Sequence, residues 1–328
     1  MAKNKYIFKN LVFEGGGVKG TAYGGAIYIL ENKNIIKNIK RVAGTSAGAI
    51  TATLIALNFN SKEIEKILKV DFKKFKDDSF FKTRNIIRLV KEYGWFKGDE
   101  FERWFSLIIK EKFGKDLTFK DLYEMSKTQN TKELYIIGTN VNIGKEIIFS
   151  NETTPDMPII KAVRISMSVP LFFKAVNYSG DLYVDGGIYY NYPVNIFDKK
   201  EYVEFPNSIL KIQGNKFYNK ETLGFRVDTP EEILEQKFKR LSTKKKISSF
   251  KEYLIALMGG FLDLANKRHL SEFDWHRTVY INALGVSTTE FDISESLKNN
   301  LIEQGKKDTE DYFKWFDKTT GKTKPLNK

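Results

Sequence analysis

Over the first sixty residues the apolar positions form two short, nearly continuous runs, and a stretch with helical spacing follows each. Tyr6 to Phe13 predicts a buried strand that ends at Gly15-Gly16-Gly17. Val18 to Leu30 follows as a helix. Its Gly20, Gly24 and Gly25 are spaced so that small residues share a face, which would let it pack closely on a sheet. Ile39 to Ala43 predicts a second short strand and Ala47 to Leu57 a second helix. This strand–loop–helix order, repeated, predicts parallel strands with crossover helices.

Farther along, Ser61 to Gly98 is rich in Lys and aromatic residues and predicts short helices and loops. Phe101, Trp104, Phe105, Ile108 and Ile109 recur at helical spacing within Asp99 to Phe113, as a core-facing stripe does. Leu134 to Val141 and Glu146 to Phe149 predict strands joined by a turn at Asn142-Ile143-Gly144, and Pro158 to Met167 predicts a helix. Phe172 to Val176 and Leu182 to Val184 predict strands around a Ser179-Gly180 turn. After about Lys199 the pattern changes. Residues 200–229 are punctuated by Pro, Gly and Asn and read as irregular, while 230–268 read as helical. His276 to Ala283 predicts a strand, Ser294 to Phe316 a helix, and the tail from Lys318 a frayed end. The expected organisation is a core over residues 7–199, with a mixed, mainly helical extension over 200–328 packed on it.

Composition changes this picture in three places. The chain of 328 residues carries a net charge of +13, which attracts polyanions. Only nine of its 54 Lys and Arg are Arg, the side chain suited to forked phosphate contacts, and no nucleic-acid reading motif accompanies the charge. Nucleic acid is therefore not an expected partner, and loose attraction to an anionic lipid surface stays open. There is no Cys, which excludes disulfides, thiol catalysis and Cys-ligated zinc. The only histidines are His269 and His276, so a three-His metal site is excluded and a hydrolytic triad must use one of these two. The N-terminus lacks the long apolar region of a signal peptide, and the longest apolar stretch elsewhere, Leu254 to Leu262, is too short to span a bilayer. A cytoplasmic protein, soluble or peripheral at membranes, is the expectation.

Three short motifs could carry chemistry. Gly44-Thr45-Ser46-Ala47-Gly48 fits a nucleophile elbow, a sharp strand-to-helix turn that lifts a serine hydroxyl above the sheet and tolerates only small neighbours. Alone it is a weak signal, with about 0.1 matches expected by chance in such a chain. Gly15-Gly16-Gly17-Val18-Lys19-Gly20 follows a strand and opens a helix, so its successive N–H groups form a concave site for negative charge. Beside a nucleophile that is an oxyanion hole, to which Lys19 adds a positive charge. The same six residues match the dinucleotide fingerprint, but the second strand runs straight into the serine elbow instead of ending on an acidic residue. The third motif, Asp185-Gly186-Gly187, puts a carboxylate at a strand end with two glycines that let another backbone come close; taken alone it is also a common turn.

Together and in this order, the three motifs resemble the patatin-like phospholipase family. Ser168-Val169-Pro170 before the Asp185 strand and Asn191-Tyr192-Pro193 after it add to the likeness, as does Arg277 to Phe291. The resemblance implies an α/β three-layer fold, with a central, mostly parallel sheet flanked by helices and a helical C-terminal elaboration. It implies a lipid acyl hydrolase of phospholipase A or lysophospholipase type, acting on a phospholipid or other acyl lipid through a Ser–Asp dyad, with no cofactor and no metal. Carried over, Ser46 is the nucleophile and Asp185 the direct base. Gly15, Gly16, Gly17 and Lys19 form the oxyanion hole, Gly44 and Gly48 build the elbow, and Gly186 and Gly187 flank the base. Lys19 departs from the family, where Arg is common.

Two other readings stay open on the residues alone. One is a triad of Ser46 and Asp185 with His269 or His276; the other is a non-catalytic lipid- or nucleotide-binding module. Lys237 to Lys246, with six basic residues in ten, lies near the apolar stretch Leu254 to Leu264, and together they could rest on anionic lipid.

Overall fold

The computed structural model describes residues 6–71, 75, 93–211, 217–228, 272–288, 290 and 292–319, with isolated positions at 247, 248, 253, 256, 257 and 260. Lys237 to Lys246, His269, most of Leu254 to Leu264 and nearly all of the helical stretch expected over 230–268 lie outside the described residues. No described helix is long and apolar enough to cross a membrane.

An eight-stranded sheet organises the described residues. Strands β1 (Asn10–Phe13), β2 (Arg41–Thr45) and β4 (Glu133–Asn140) run parallel, as the alternation of apolar runs and helices predicts. Strands β11 (Thr222–Asp228) and β12 (Thr278–Asn282) continue the parallel set on the other side of β1. Antiparallel partners close the opposite side: β5 (Lys145–Phe149) and β8 (Asp181–Asp185) both pair with β4, and β7 (Val176–Tyr178) pairs with β8. Two small sheets lie apart, β3 (Gly94–Phe96) with β6 (Leu171–Phe173) and β9 (Ile209–Lys211) with β10 (Phe217–Asn219).

Pleating sends alternate residues of the central strands to opposite faces. Leu11, Phe13, Val42 and Phe225 pack against α1 (Tyr23–Asn32), α2 (Ala47–Ala56) and α8 (Glu295–Thr319), and Ile136 joins the same cluster near α6 (Ile159–Ser166). Val12, Ala43 and Ile137 face the other way, against Tyr190 at the end of the short helix α7 (Gly187–Tyr190) and the following Tyr192, Val194 and Phe197. Among the described residues, the remaining α-helices, α3 (Ser61–Leu68), α4 (Asp99–Phe113) and α5 (Phe119–Thr128), contribute to the first of these clusters.

The structure departs from the sequence pattern in five places. The expected strand from Tyr6 is paired only from Asn10, and the expected helix from Val18 begins as a 3-10 turn, Gly17–Ala22, before α1. The glycines of that segment do permit close packing, but onto helices instead of the sheet. A Cβ on Gly20 would press on Ala47, one on Gly24 would touch Glu65, and one on Gly25 would strike the Ile302 carbonyl of α8. Helix α5, which the apolar pattern does not single out, is set by a capping box in which Thr118 and Asp121 exchange side-chain and backbone bonds. The largest difference is β11, a wholly buried strand inside a stretch that reads as irregular.

Polar residues hide β11. Arg226 lies in its middle and is fully buried, and its guanidinium reaches Glu14 at 3.2 Å and Asp228 at 2.9 Å. A buried charge is tolerated where carboxylates surround it. The resulting run Thr-Leu-Gly-Phe-Arg-Val-Asp therefore lacks the continuous apolar character by which central parallel strands are recognised.

Candidate active site

The site forms where two strands meet end to end along one edge of β4. Residues 136–140 of β4 use one side on β5. The other side must then serve both β2, which pairs up to Thr45 opposite Ile137, and β8, which starts pairing with Asp185 opposite Gly138. Strand β2 runs up to this junction and β8 runs down to it. Ser46, one residue beyond β2, thus arrives beside Asp185, the last residue of β8.

Ser46 adopts φ 53°, ψ −123° and stands as N-cap of α2. A non-glycine residue in such a conformation costs of order 1–3 kcal/mol and persists only where its surroundings hold it. Here they do so by close approach. A Cβ on Gly44 would strike the Gly48 carbonyl, and one on Gly48 would meet the backbone carbonyls of Phe13 and Glu14. Gly48→Ala is accordingly expected to lower stability by about 2 kcal/mol, since neither backbone can withdraw cheaply. Thermal unfolding followed by circular dichroism would read this as a drop in Tm of several degrees.

Asp185 is 4% exposed, and one carboxylate oxygen, Oδ1, accepts the Gly187 N–H at 2.7 Å. The other, Oδ2, is buried with no hydrogen-bond partner among the described residues. Burial raises its pKa from 3.8 to about 7, against smaller opposing contributions from the Gly187 amide and the nearby Ser46 hydroxyl. The Ser46 hydroxyl itself lies 3.9 Å from Met167 Sδ, so in this rotamer it is near Asp185 without being bonded to Oδ2. Gly186 has backbone against it, because a Cβ there would meet the Ile137 carbonyl at 2.5 Å.

The glycine nest completes the surroundings. The Gly15 amide donates to the Asn191 carbonyl at 3.1 Å, and the Asn191 side chain returns a bond to the Gly15 carbonyl at 3.1 Å. Gly15 is therefore committed to holding the loop, and a Cβ on it would crowd Asn191 and stand 3.1 Å from the Cβ of Ser46. Among the described residues, the amides of Gly16 and Gly17 have no acceptor. Gly17 has φ 55°, and a Cβ there would strike the Thr288 carbonyl. Lys19 is buried, with its stem over Gly16, where a Cβ would lie 3.7 Å from the Lys19 Cβ.

The histidines stand apart from this junction where they are described. His276 precedes β12, three strands from β2 and at the N-terminal ends of the parallel strands. That separates it from Ser46 by about 14 Å across the sheet before the length of the strands is added. A triad through His276 is thus incompatible with the fold, and His269 lies outside the described residues.

The patatin-like phospholipase family model matches residues 11–198. The chain belongs to the patatin-like phospholipase family. The match spans β1, the glycine nest, the elbow and β8, whereas β11 and β12 of the same sheet lie beyond it. Similar relatives of this patatin-like chain include the uncharacterized protein YqhO of Bacillus subtilis (strain 168), 31% identical over 92% of this chain and 97% of that protein. A probable lipid hydrolase of Invertebrate iridescent virus 6 is 31% identical over 59% of this chain and 64% of its own length. Among solved structures, VipD from Legionella pneumophila superposes with a TM-score of 0.57 at 18% identity, covering 94% of this chain and 67% of VipD. ExoU from Pseudomonas aeruginosa gives 0.50 at 19% identity, over 94% of this chain and 52% of ExoU. These structural likenesses carry the patatin-like fold over nearly the whole chain.

Two residues at the junction, Ser166 and Met167, have no counterpart among the positions that the sequence motifs single out. Ser166 Oγ accepts the Ser46 N–H at 2.9 Å, and Met167 faces the hydroxyl. The only local signal is their place just before Ser168-Val169-Pro170.

Proposed function

We propose that the protein is a lipid acyl hydrolase of phospholipase A or lysophospholipase type, in which Ser46 and Asp185 act as a catalytic dyad. The observation that carries this reading is the buried, unpartnered Oδ2 of Asp185 beside the Ser46 hydroxyl, with proton affinity raised to about pH 7. An ordinary carboxylate is too weak a base at neutral pH, whereas one poised near 7 is matched to general-base work.

Rotation of the Ser46 hydroxyl from Met167 toward Oδ2 starts the reaction. Asp185 takes the hydroxyl proton as Oγ bonds to the ester carbonyl carbon. The carbonyl oxygen becomes an oxyanion held by the Gly16 and Gly17 amides, each such donor supplying roughly 3 kcal/mol in comparable sites. The bond to the leaving alcohol breaks and Asp185 returns the proton to that alcohol, leaving an acyl-Ser46. Water, deprotonated by Asp185, then attacks the acyl carbon; the bond to Ser46 Oγ breaks, Asp185 returns the proton to Oγ, and the fatty acid leaves. No step asks for a metal or a cofactor. The substrate class rests on family membership. A net charge of +13 favours an anionic membrane as the surface from which the lipid is taken.

The test is the pH dependence of hydrolysis of a fatty-acyl p-nitrophenyl ester and of a lysophospholipid. The base must be ionised, so kcat/KM is expected to fall about tenfold per pH unit below pH 7 and to level off above it. A flat profile between pH 5 and 8 would remove Asp185 as the base.

A further inference from the structure

The turn that ends α6 touches both members of the proposed dyad. Ser166 is wholly buried, and its Oγ bonds two elements: it accepts the Ser46 N–H at 2.9 Å and donates to the Ile137 carbonyl of β4 at 2.6 Å. Two residues on, the Ser168 carbonyl accepts the Asp185 N–H at 2.9 Å. Met167, between them, lies against the Ser46 hydroxyl. The turn is itself anchored. The Ser168 hydroxyl donates to the Arg164 carbonyl at 2.8 Å and receives a bond from the Arg164 guanidinium, which is buried and also reaches the carbonyls of Lys97 and Lys174.

A buried helical serine or threonine ordinarily satisfies itself on the carbonyl four residues back. Thr51, Thr53 and Ser168 do so here, on Ala47, Ala49 and Arg164. Ser166 instead bonds two other elements, the elbow and β4. Its bond falls on the amide of the one residue in the elbow that holds a positive φ without being glycine.

We propose that Ser166-Met167-Ser168 is a positioning clamp that fixes Ser46 and Asp185 relative to each other, with Ser166 the decisive side chain. This rests on the reading of Ser46 and Asp185 as the dyad. Ser166 does not touch substrate; it holds the strained nucleophile backbone in the conformation that aims Oγ at Asp185. Loss of its hydroxyl lets Ser46 relax, and misplacement by a fraction of an ångström to about 1 Å costs up to a hundredfold in rate.

The test compares wild type, Ser166→Ala, Ser46→Ala and the control Thr53→Val, which also loses a buried hydroxyl bond but on the body of α2. A fluorophosphonate probe titrates active sites and gives the labelling rate per site, and kcat and KM are measured on the p-nitrophenyl ester. The clamp predicts that Ser166→Ala loses about ten- to a hundredfold in kcat and in labelling rate per titrated site, with KM little changed. Thr53→Val should keep the wild-type rate per site. Should Ser166→Ala not fold, Ser166→Cys, which keeps a side chain there but a poor acceptor, reads out the same quantity. A wild-type rate per titrated site in the Ser166 variant, with only Tm or the number of sites lowered, overturns the clamp and leaves the dyad standing. Full activity in Ser46→Ala overturns the dyad reading, and the clamp with it.

Discussion

Asp185→Asn is expected to lose at least about a thousandfold in kcat, the upper part of the range for a general base, and yet to be more stable than wild type above pH 7. The first effect follows from removing the proposed base at Ser46. The second follows from what burial costs a carboxylate. Folded Asp185 keeps its proton up to about pH 7, while in the unfolded chain it loses the proton near the ordinary value of 3.8. Between those limits the folded state binds more protons than the unfolded one, so wild-type stability falls as pH rises. Above pH 7 the full penalty stands, of order 4 kcal/mol. Asparagine carries no such penalty, and its oxygen can still accept the Gly187 amide as Oδ1 of Asp185 does. Denaturant unfolding at pH 8 should show the variant ahead by up to that amount, with the difference vanishing toward pH 4. Equal stability of the two proteins at pH 8 would show that the carboxylate is not held in an unfavourable site.

Arg277→Ala is expected to cost about 3–5 kcal/mol of stability, the usual penalty for removing one partner from a buried ionic cluster. Arg277 is 2% exposed and binds Asp198 through both oxygens, Asp274 through Oδ1 and the Asn219 carbonyl. Burial alone would favour its neutral form, but the two carboxylates outweigh this and push its pKa up. Its guanidinium also lies over the Tyr218 ring, 4.3 Å from the centroid. Removal takes the guanidinium away from two carboxylates at the place where the end of the family-matched segment meets β12. Urea unfolding at pH 7 would measure it, and a loss below about 1 kcal/mol would mean that solvent replaces the guanidinium.

The elements that form the site were legible to different degrees, for physical reasons. The β2–elbow–α2 segment is local: Gly44 is demanded by Gly48, and Gly48 by the adjacent strand β1, and spacing conveys that, whereas Gly17 of the nest answers to Thr288, far along the chain. The partnership of Ser46 with Asp185 was given only by family resemblance, because it depends on β4 offering one edge to two strands, which no local pattern records. Gly15 illustrates the same limit. As the first of three glycines it looks like an oxyanion donor, yet its amide is taken by Asn191, far along the chain. Strand β11 escapes the pattern because Arg226 pairs with Asp228 and Glu14 inside the protein, so its polar residues mark a buried cluster and not a surface.

The central claim is that Ser46 is the nucleophile, and covalent trapping tests it most directly. Wild-type protein treated with a fluorophosphonate, digested with trypsin and mapped by mass spectrometry is predicted to carry one adduct, on Ser46 within the peptide Val42–Lys62, and Ser46→Ala is predicted to carry none. An adduct that persists in Ser46→Ala, or wild-type protein that hydrolyses the ester while Ser46 stays unmodified, would contradict the account.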